Sequence, residues 1–127
     1  MRIAIPIDDD RGMESSVSGH FGRASHYIFV DVDDNKVVSS MVKKVPFEQH
    51  QPGDLPGFVK ENDGDMVVAY GMGGRAVQFF DQFGIRVLTG AQGHVKEVVD
   101  QLLKDKLTVN KDWEAEEGFH SHEHGGH

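Results

Sequence analysis

The loop of residues 17–27, VSGHFGRASHY, carries more chemistry than a connection between two strands requires. It places His20, Arg23 and His26 among Ser, Gly and Ala residues, with Phe21 directly after the first histidine. An imidazole beside glycine can reach out of the loop while Phe21 anchors the loop in the core, and a guanidinium can face an anion. The alternative is that His20 hydrogen-bonds only the backbone. His26 opens the next strand, and we expect it to be structural or solvated.

A second segment, GMGGR at residues 71–75, has the composition of an anion-binding turn. Gly71, Gly73 and Gly74 let backbone N–H groups approach a ligand closely, and the helix that follows points its positive end toward the same place. Arg75 adds a planar cation. The spacing is neither that of a Walker loop nor that of a dinucleotide fingerprint, so a tight strand-to-helix turn without a ligand is the alternative.

The other histidines offer further ligands. His50 lies in a loop dense in Pro and Gly and is a candidate second ligand. His94 begins the last predicted helix, where the helix dipole favours neutral imidazole, but a position without a role is the simpler interpretation. The segment HSHEHGGH can chelate Ni²⁺ or Zn²⁺ without a preformed fold, and its alternative is adventitious binding. Its candidate metal ligands are His120, His122, His124 and His127.

Composition excludes several classes of protein. The 127 residues contain no cysteine, which excludes disulfides, thiolate catalysis and Cys-ligated clusters. The formal net charge of −8 argues against binding to nucleic acid or to an anionic membrane. Without an apolar run of about 20 residues or a secretory signal, the sequence predicts a cytoplasmic protein. Five aspartates near strand ends could hold two Mg²⁺ ions for a nuclease: Asp8, Asp9, Asp10, Asp31 and Asp33. Residues 8–10 and 33–35 are interpreted instead as solvated turns, because no basic track accompanies them.

The hydrophobic pattern predicts an α/β domain with the order βββαβαβα. A hairpin followed by crossover units predicts a mixed five-stranded sheet with three helices on its faces. The first and fourth strands are expected to be parallel neighbours, which would bring the loops after them side by side. The strands are predicted at residues 2–7, 27–32, 36–45, 65–70 and 85–90, and the helices at about 55–62, at 76–83 and at 95–103.

The domain is predicted to end near Val109. Residues 110–127 lose periodicity, gain charge and lack a core face, so we expect a disordered, acidic, His-rich tail.

Three segments together resemble the dinitrogenase iron-molybdenum cofactor biosynthesis family, the NifX/NafY-like small domains. They are RIAIPID, VSGHFGRASHYIFVDVDDNKV and MVVAYGMGGRAVQFFDQFGIRVLTGAQGHVKEVVDQLLKDKL, and the resemblance covers residues 1–109. The motifs S-x-H-F-G-R and G-x-G-G-R-A carry it. His50 lies where many members have a histidine-bearing loop, whereas His94 departs from the Thr or Asn expected there. The cofactor-binding residues that the resemblance implies are His20, Phe21, Gly22, Arg23, His50, Gly71, Gly73, Gly74 and Arg75.

The resemblance implies a ribonuclease H-like fold without nuclease activity. It also implies a non-catalytic carrier that binds an iron–sulfur or iron–molybdenum-type cluster or its precursor, with cluster-assembly or acceptor proteins as partners. One imidazole, one guanidinium and backbone N–H groups can hold such an anion reversibly, whereas four thiolates would hold it too firmly to pass on.

Two rival functions remain at the level of the sequence. The protein could be a divalent-metal (Ni/Zn) buffer or metallochaperone that acts through its tail, or a protein-interaction module without a ligand. Cluster binding would depend on His20 and Arg23, metal buffering would depend on the tail histidines, and an interaction module would depend on neither.

Overall fold

A mixed β-sheet with helices on both faces organises the chain. The computed structural model describes residues 1–46 and 53–104, together with the backbone of residues 120–121. The strands are β1 (Arg2–Ile7), β2 (His26–Asp33), β3 (Lys36–Lys44), β4 (Met66–Val68), β5 (Arg86–Thr89) and β6 (His120–Ser121). The helices are α1 (Asp54–Glu61), α2 (Gly74–Gln82) and α3 (Val95–Lys104), and short 3-10 turns occupy Gly12–Glu14 and Phe21–Arg23.

The sheet has the strand order β3-β2-β1-β4-β5-β6. Strands β1, β2 and β3 pair antiparallel, whereas β4 pairs parallel with both β1 and β5. The predicted mixed arrangement of five strands and three helices is therefore confirmed, and it is compatible with a ribonuclease H-like fold. The two-residue strand β6 adds an antiparallel edge beside β5.

Two turns have the backbone conformations that their residue types favour. Asp34 and Asn35 both adopt positive φ between β2 and β3, which is the backbone that a tight hairpin requires and that these residue types tolerate. Gly84, at φ +74°, ends helix α2 in the left-handed conformation, as predicted for that glycine. The N–H of Ile85 then donates to the carbonyl of Phe80 at 2.9 Å, which turns the chain directly into β5.

The sheet separates two hydrophobic cores. One face packs against α3, and the other face packs against α1 and α2. The second core is rich in aromatic rings: Tyr27 packs edge-on against Phe21 and Phe58 and stacks on Phe29. Burial raises the pKa of Tyr27 well above its ordinary value, and its hydroxyl has no hydrogen-bond partner within the described residues.

The parallel strands β1 and β4 form the switch point of the sheet, where the order of the strands reverses. The chain leaves β1 toward β2 and β3 on one side, whereas β4 and β5 extend the sheet on the other side. Ligands in open α/β sheets bind beyond the carboxyl ends of the strands at such a switch point. The expectation that the first and fourth strands are parallel neighbours is confirmed by the pairs Ile3–Met66 and Ala4–Val67.

Some sequence-based expectations lie outside the described residues. They include the loop with His50 and nearly all of the tail predicted at residues 110–127, of which the structure describes only the backbone of β6. Within the described residues, none of the helices is long and apolar enough to cross a membrane.

Arg2 ties the first strand to its neighbours. Its Nε and Nη2 donate to the two carboxylate oxygens of Asp31 at 2.7 and 3.1 Å, and its Nη1 donates to the carbonyl of Asn62 at 2.8 Å. Hydrogen bonding by the guanidinium holds the pKa of Asp31 below its ordinary value. Because both side chains are about 70% buried by area (27% and 30% exposed), solvent screens the pair only in part.

Asp31→Asn is expected to lower the free energy of unfolding by about 1 kcal/mol at neutral pH. The contribution of a carboxylate with a lowered pKa is present above about pH 4 and is lost as the pH falls through the lowered value. Denaturant titrations should therefore show the wild type and the variant converging in acid. Asp33→Asn, an exposed position on the same strand, is the matched control. If the free energies of unfolding of the wild type and Asp31→Asn differed equally at neutral and at acidic pH, the carboxylate of Asp31 would not be the source of the difference.

Candidate functional site

An open cavity of about 520 Å³ lies at the switch point, between the loop after β1 and the turn after β4. It is bounded by the 3-10 turn Phe21–Arg23, by the start of α2 and by one side chain from α1. The two loops that the sequence singled out thus face one another. The lining residues are Gly19, His20, Phe21, Gly22, Arg23, Leu55, Gly71, Met72, Gly73 and Ala76.

The loop after β1 is held on both sides. The N–H of Ser18 donates to the carbonyl of Pro6 at 2.8 Å, and the N–H of Val17 donates to the carbonyl of Gly93 at 2.9 Å. Ser18 Oγ lies 3.2 Å from both the N–H and the carbonyl oxygen of His20. The backbone that carries His20 is therefore fixed by β1, by the loop after β5 and by the side chain of Ser18.

Phe21 fixes the next part of the loop, as expected from the sequence. It is 8% exposed, and its ring meets Phe80 of α2 edge-on with centroids 5.8 Å apart. The contact joins the loop after β1 to the helix after β4, and those two elements form opposite walls of the cavity. Phe21 therefore acts at this site mainly through packing.

His20 and Arg23 place cationic or cation-capable groups at the cavity. Both residues are exposed, and neither the imidazole nor the guanidinium has a hydrogen-bond or ion-pair partner within the described residues. The alternative interpretation of His20, a ring that ties the loop to the backbone, finds no such bond there. Both groups are available to a ligand.

The glycines of the opposite wall leave backbone open. Among the residues that the structure describes, a Cβ added at Gly71 or Gly73 would meet no atom within 4 Å beyond its chain neighbours, and neither residue has a positive φ. The fold therefore does not require glycine at these positions, either for backbone conformation or for packing. The effect of their missing side chains is room at the cavity and access to main-chain N–H groups at the start of α2.

Other sequence-predicted residues lie elsewhere. Gly74 and Arg75 begin α2 and are exposed, outside the residues that line the cavity. His26 Nδ1 lies 2.7 Å from Ser25 Oγ, in keeping with a structural role. His94 Nδ1 lies 3.7 Å from Glu97 Oε1, away from the cavity lining.

The predicted metal ligands receive no structural test. His50 and the side chains of His120, His122, His124 and His127 lie outside what the structure describes. Among the described residues, no group of three or more His, Asp or Glu side chains is arranged to hold a metal ion.

Sequence reasoning missed four lining residues: Gly19, Leu55, Met72 and Ala76. Gly19, Met72 and Ala76 lie within the two motifs S-x-H-F-G-R and G-x-G-G-R-A, so their position in the sequence could have identified them. Leu55 comes from α1, and only the packing of that helix against the sheet brings it to the cavity. No local signal marks it.

The fold and the cavity define a class of protein: an α/β domain with an open cleft between a His-Phe-Gly-Arg loop and a glycine-rich turn. The sequence profile described as dinitrogenase iron-molybdenum cofactor matches residues 1–105. The chain belongs to the dinitrogenase iron-molybdenum cofactor family.

Solved structures share the fold. The crystal structure of PH0822 is 43% identical, with a TM-score of 0.78, over 84% of this chain and 93% of that one. The apo form of the orange protein from Desulfovibrio gigas is 19% identical, with a TM-score of 0.72, over 83% of this chain and 88% of that one, which shows likeness of fold alone. The comparison with curated proteins gives no match.

Proposed function

We propose that this protein is a non-catalytic carrier for an anionic iron–sulfur or iron–molybdenum-type cluster or its precursor. The cluster is cargo, bound between the loop of His20 and Arg23 and the turn of Gly71 and Gly73. The observation that carries the proposal is the cavity at the switch point, whose imidazole and guanidinium lack protein partners within the described residues.

The chemistry of the lining suits reversible binding. A guanidinium offers a planar fork to an anion, and main-chain N–H groups add donors that carry no formal charge. An imidazole can donate a hydrogen bond or take an open coordination position on a metal. Without a thiolate in the chain, a cluster bound here leaves without breaking several metal–sulfur bonds to protein.

The openness of the cavity suits transfer between proteins. His20, Gly22 and Arg23 are exposed, so bound cargo would remain accessible to a second protein. Cluster-assembly or acceptor proteins are the corresponding partners. The carrier performs no bond-making step of its own in this proposal: it binds, shields one side of the cluster and releases it.

His20→Ala is expected to weaken cluster uptake by about 10-fold, about 1.4 kcal/mol, without lowering the melting temperature. The reason is that an exposed ring without protein bonds supports uptake but not folding. Anaerobic titration with iron–sulfur and molybdenum–sulfur species, followed by absorption spectroscopy, measures this. His94→Ala, another exposed histidine on a nearby loop, should leave uptake unchanged. Unchanged uptake in a folded His20→Ala variant would remove His20 from the site.

Arg23→Ala is expected to weaken uptake by a similar factor, and Arg23→Lys should restore part of it. A lysine returns the charge but lacks the planar fork of the guanidinium. The same titration, repeated at high salt, separates the contribution of the charge from that of the planar fork, because salt screens the exposed charge. Equal uptake by all three proteins would show that the cargo does not contact this side chain.

A further inference from the structure

A second cavity, of about 280 Å³, adjoins the first at the carboxyl edge of the sheet. Gly19 lines both cavities, so the two meet where the loop after β1 crosses the switch point. The first cavity opens toward the core beneath α1 and α2, and the second lies over the core that faces α3. The second is lined by Val17, Gly19, Tyr70, Ala91, Gln92 and Gly93.

The second cavity differs from the first in its chemistry. Among the described residues its lining includes no charged side chain, in contrast to the first cavity with Arg23. Val17 and Ala91 supply buried apolar surface, and Tyr70 supplies an aromatic ring that is 47% exposed. Gln92 adds an amide with both donor and acceptor atoms. These features suit a flat, uncharged group that has hydrogen bonds to make at its edge.

Tyr70 is held firmly for a residue so exposed. Its carbonyl accepts the N–H of Gly90 at 2.7 Å, and the carbonyl of its neighbour Ala69 accepts the N–H of Ala91 at 3.1 Å. These bonds fix the backbone of Tyr70 beside the loop after β5. Gln92 and Gly93 belong to that loop and line the same cavity. An exposed aromatic side chain on such a fixed backbone offers a stacking surface whose main chain does not have to be ordered on binding.

We propose that the two cavities form one binding site for a mononucleotide. The phosphate lies in the first cavity beside Arg23 and the N–H groups at the start of α2, and the base lies on Tyr70 in the second. The ribose crosses at Gly19, where an added Cβ would meet no atom of the described part of the chain within 4 Å beyond its chain neighbours. Pockets that hold a whole ligand typically have volumes of about 300–1,000 Å³. The volume of the second cavity is below this range, which suits one part of a ligand.

This inference goes beyond the carrier function and does not depend on it. A nucleotide phosphate and an anionic cluster would use the same first cavity, so nucleotide binding would compete with cluster uptake. Cluster uptake measured without nucleotide tests the carrier function, and nucleotide binding to the cluster-free protein tests the inference. Failure of one measurement is therefore distinguishable from failure of the other.

Calorimetry on the full chain with AMP, adenosine and inorganic phosphate tests the site. We expect AMP to bind about 10-fold or more tightly than phosphate, because the base adds a stacking contact. Tyr70→Ala should reduce AMP binding to the level of phosphate, whereas Tyr70→Phe should retain most of it. Gly19→Leu, which fills the junction, should weaken the binding of AMP more than the binding of phosphate.

Three results would overturn the inference: no binding of AMP, equal affinities for AMP and phosphate, or AMP binding that is indifferent to Tyr70→Ala. Selection among bases is tested with GMP and CMP under the same conditions. A nucleotide that binds in the two cavities should also lower cluster uptake when present in excess, and simultaneous binding at full strength would contradict a shared first cavity.

Discussion

Phe21→Ala is expected to lower the free energy of unfolding by about 3 kcal/mol and to weaken cluster uptake in the protein that remains folded. The ring is 8% exposed and contacts both Tyr27 and Phe80, with centroids 6.3 and 5.8 Å away. Its removal leaves a cavity between the sheet and α2. It also releases the loop that carries His20 from the helix opposite.

The conservative variant Phe21→Leu separates the contribution of buried apolar volume from that of the edge-on ring contacts. Leucine keeps most of the apolar volume but loses the edge-on ring contacts, so the stability loss should fall below about 1.5 kcal/mol. Denaturant unfolding measures stability, and anaerobic titration at a temperature where every variant is folded measures uptake. If Phe21→Ala unfolded no more readily than Phe21→Leu, the loop would be held by its hydrogen bonds rather than by this ring.

Local signals in the sequence were sufficient for the elements and for the main anchor of the site. The β-branched run of β1 and the helical spacing of Phe79, Phe80 and Phe83 predicted a strand and a helix where the structure has them. Gly84 and the Asp34–Asn35 turn were predictable because left-handed backbone restricts residue type. The burial of Phe21 followed from a large ring inside a loop of small residues.

Positions that depend on distant parts of the chain were not predictable in the same way. Leu55 reaches the cavity only because α1 packs across the sheet. Tyr70 and Gln92 line one cavity only because β4 and β5 pair in one particular register. The sequence predicted a strand over residues 65–70, whereas β4 ends at Val68, which frees Tyr70 to turn into the second cavity. Register and helix packing are tertiary properties, and propensity does not encode them.

The two glycines opposite His20 allow a more direct test of where cargo binds than the removal of a side chain that contacts the cargo. Removing a side chain weakens one contact, whereas adding one at Gly71 occupies part of the cavity itself. A Cβ at this position meets no atom of the described residues within 4 Å beyond its chain neighbours, and the backbone is not left-handed, so a side chain can start here without strain. The substitution therefore acts on the ligand without acting on the core.

Gly71→Leu is expected to reduce cluster uptake by at least about 100-fold while changing the free energy of unfolding by less than about 0.5 kcal/mol. Gly57→Leu is the matched control, because Gly57 also has open space at its Cβ but lies in α1 outside the cavity lining. Anaerobic titration and thermal melting on the same preparations give both quantities. Normal uptake by Gly71→Leu would place the cargo outside this cavity, since an anionic cluster and a leucine side chain cannot occupy the same space between two fixed loops.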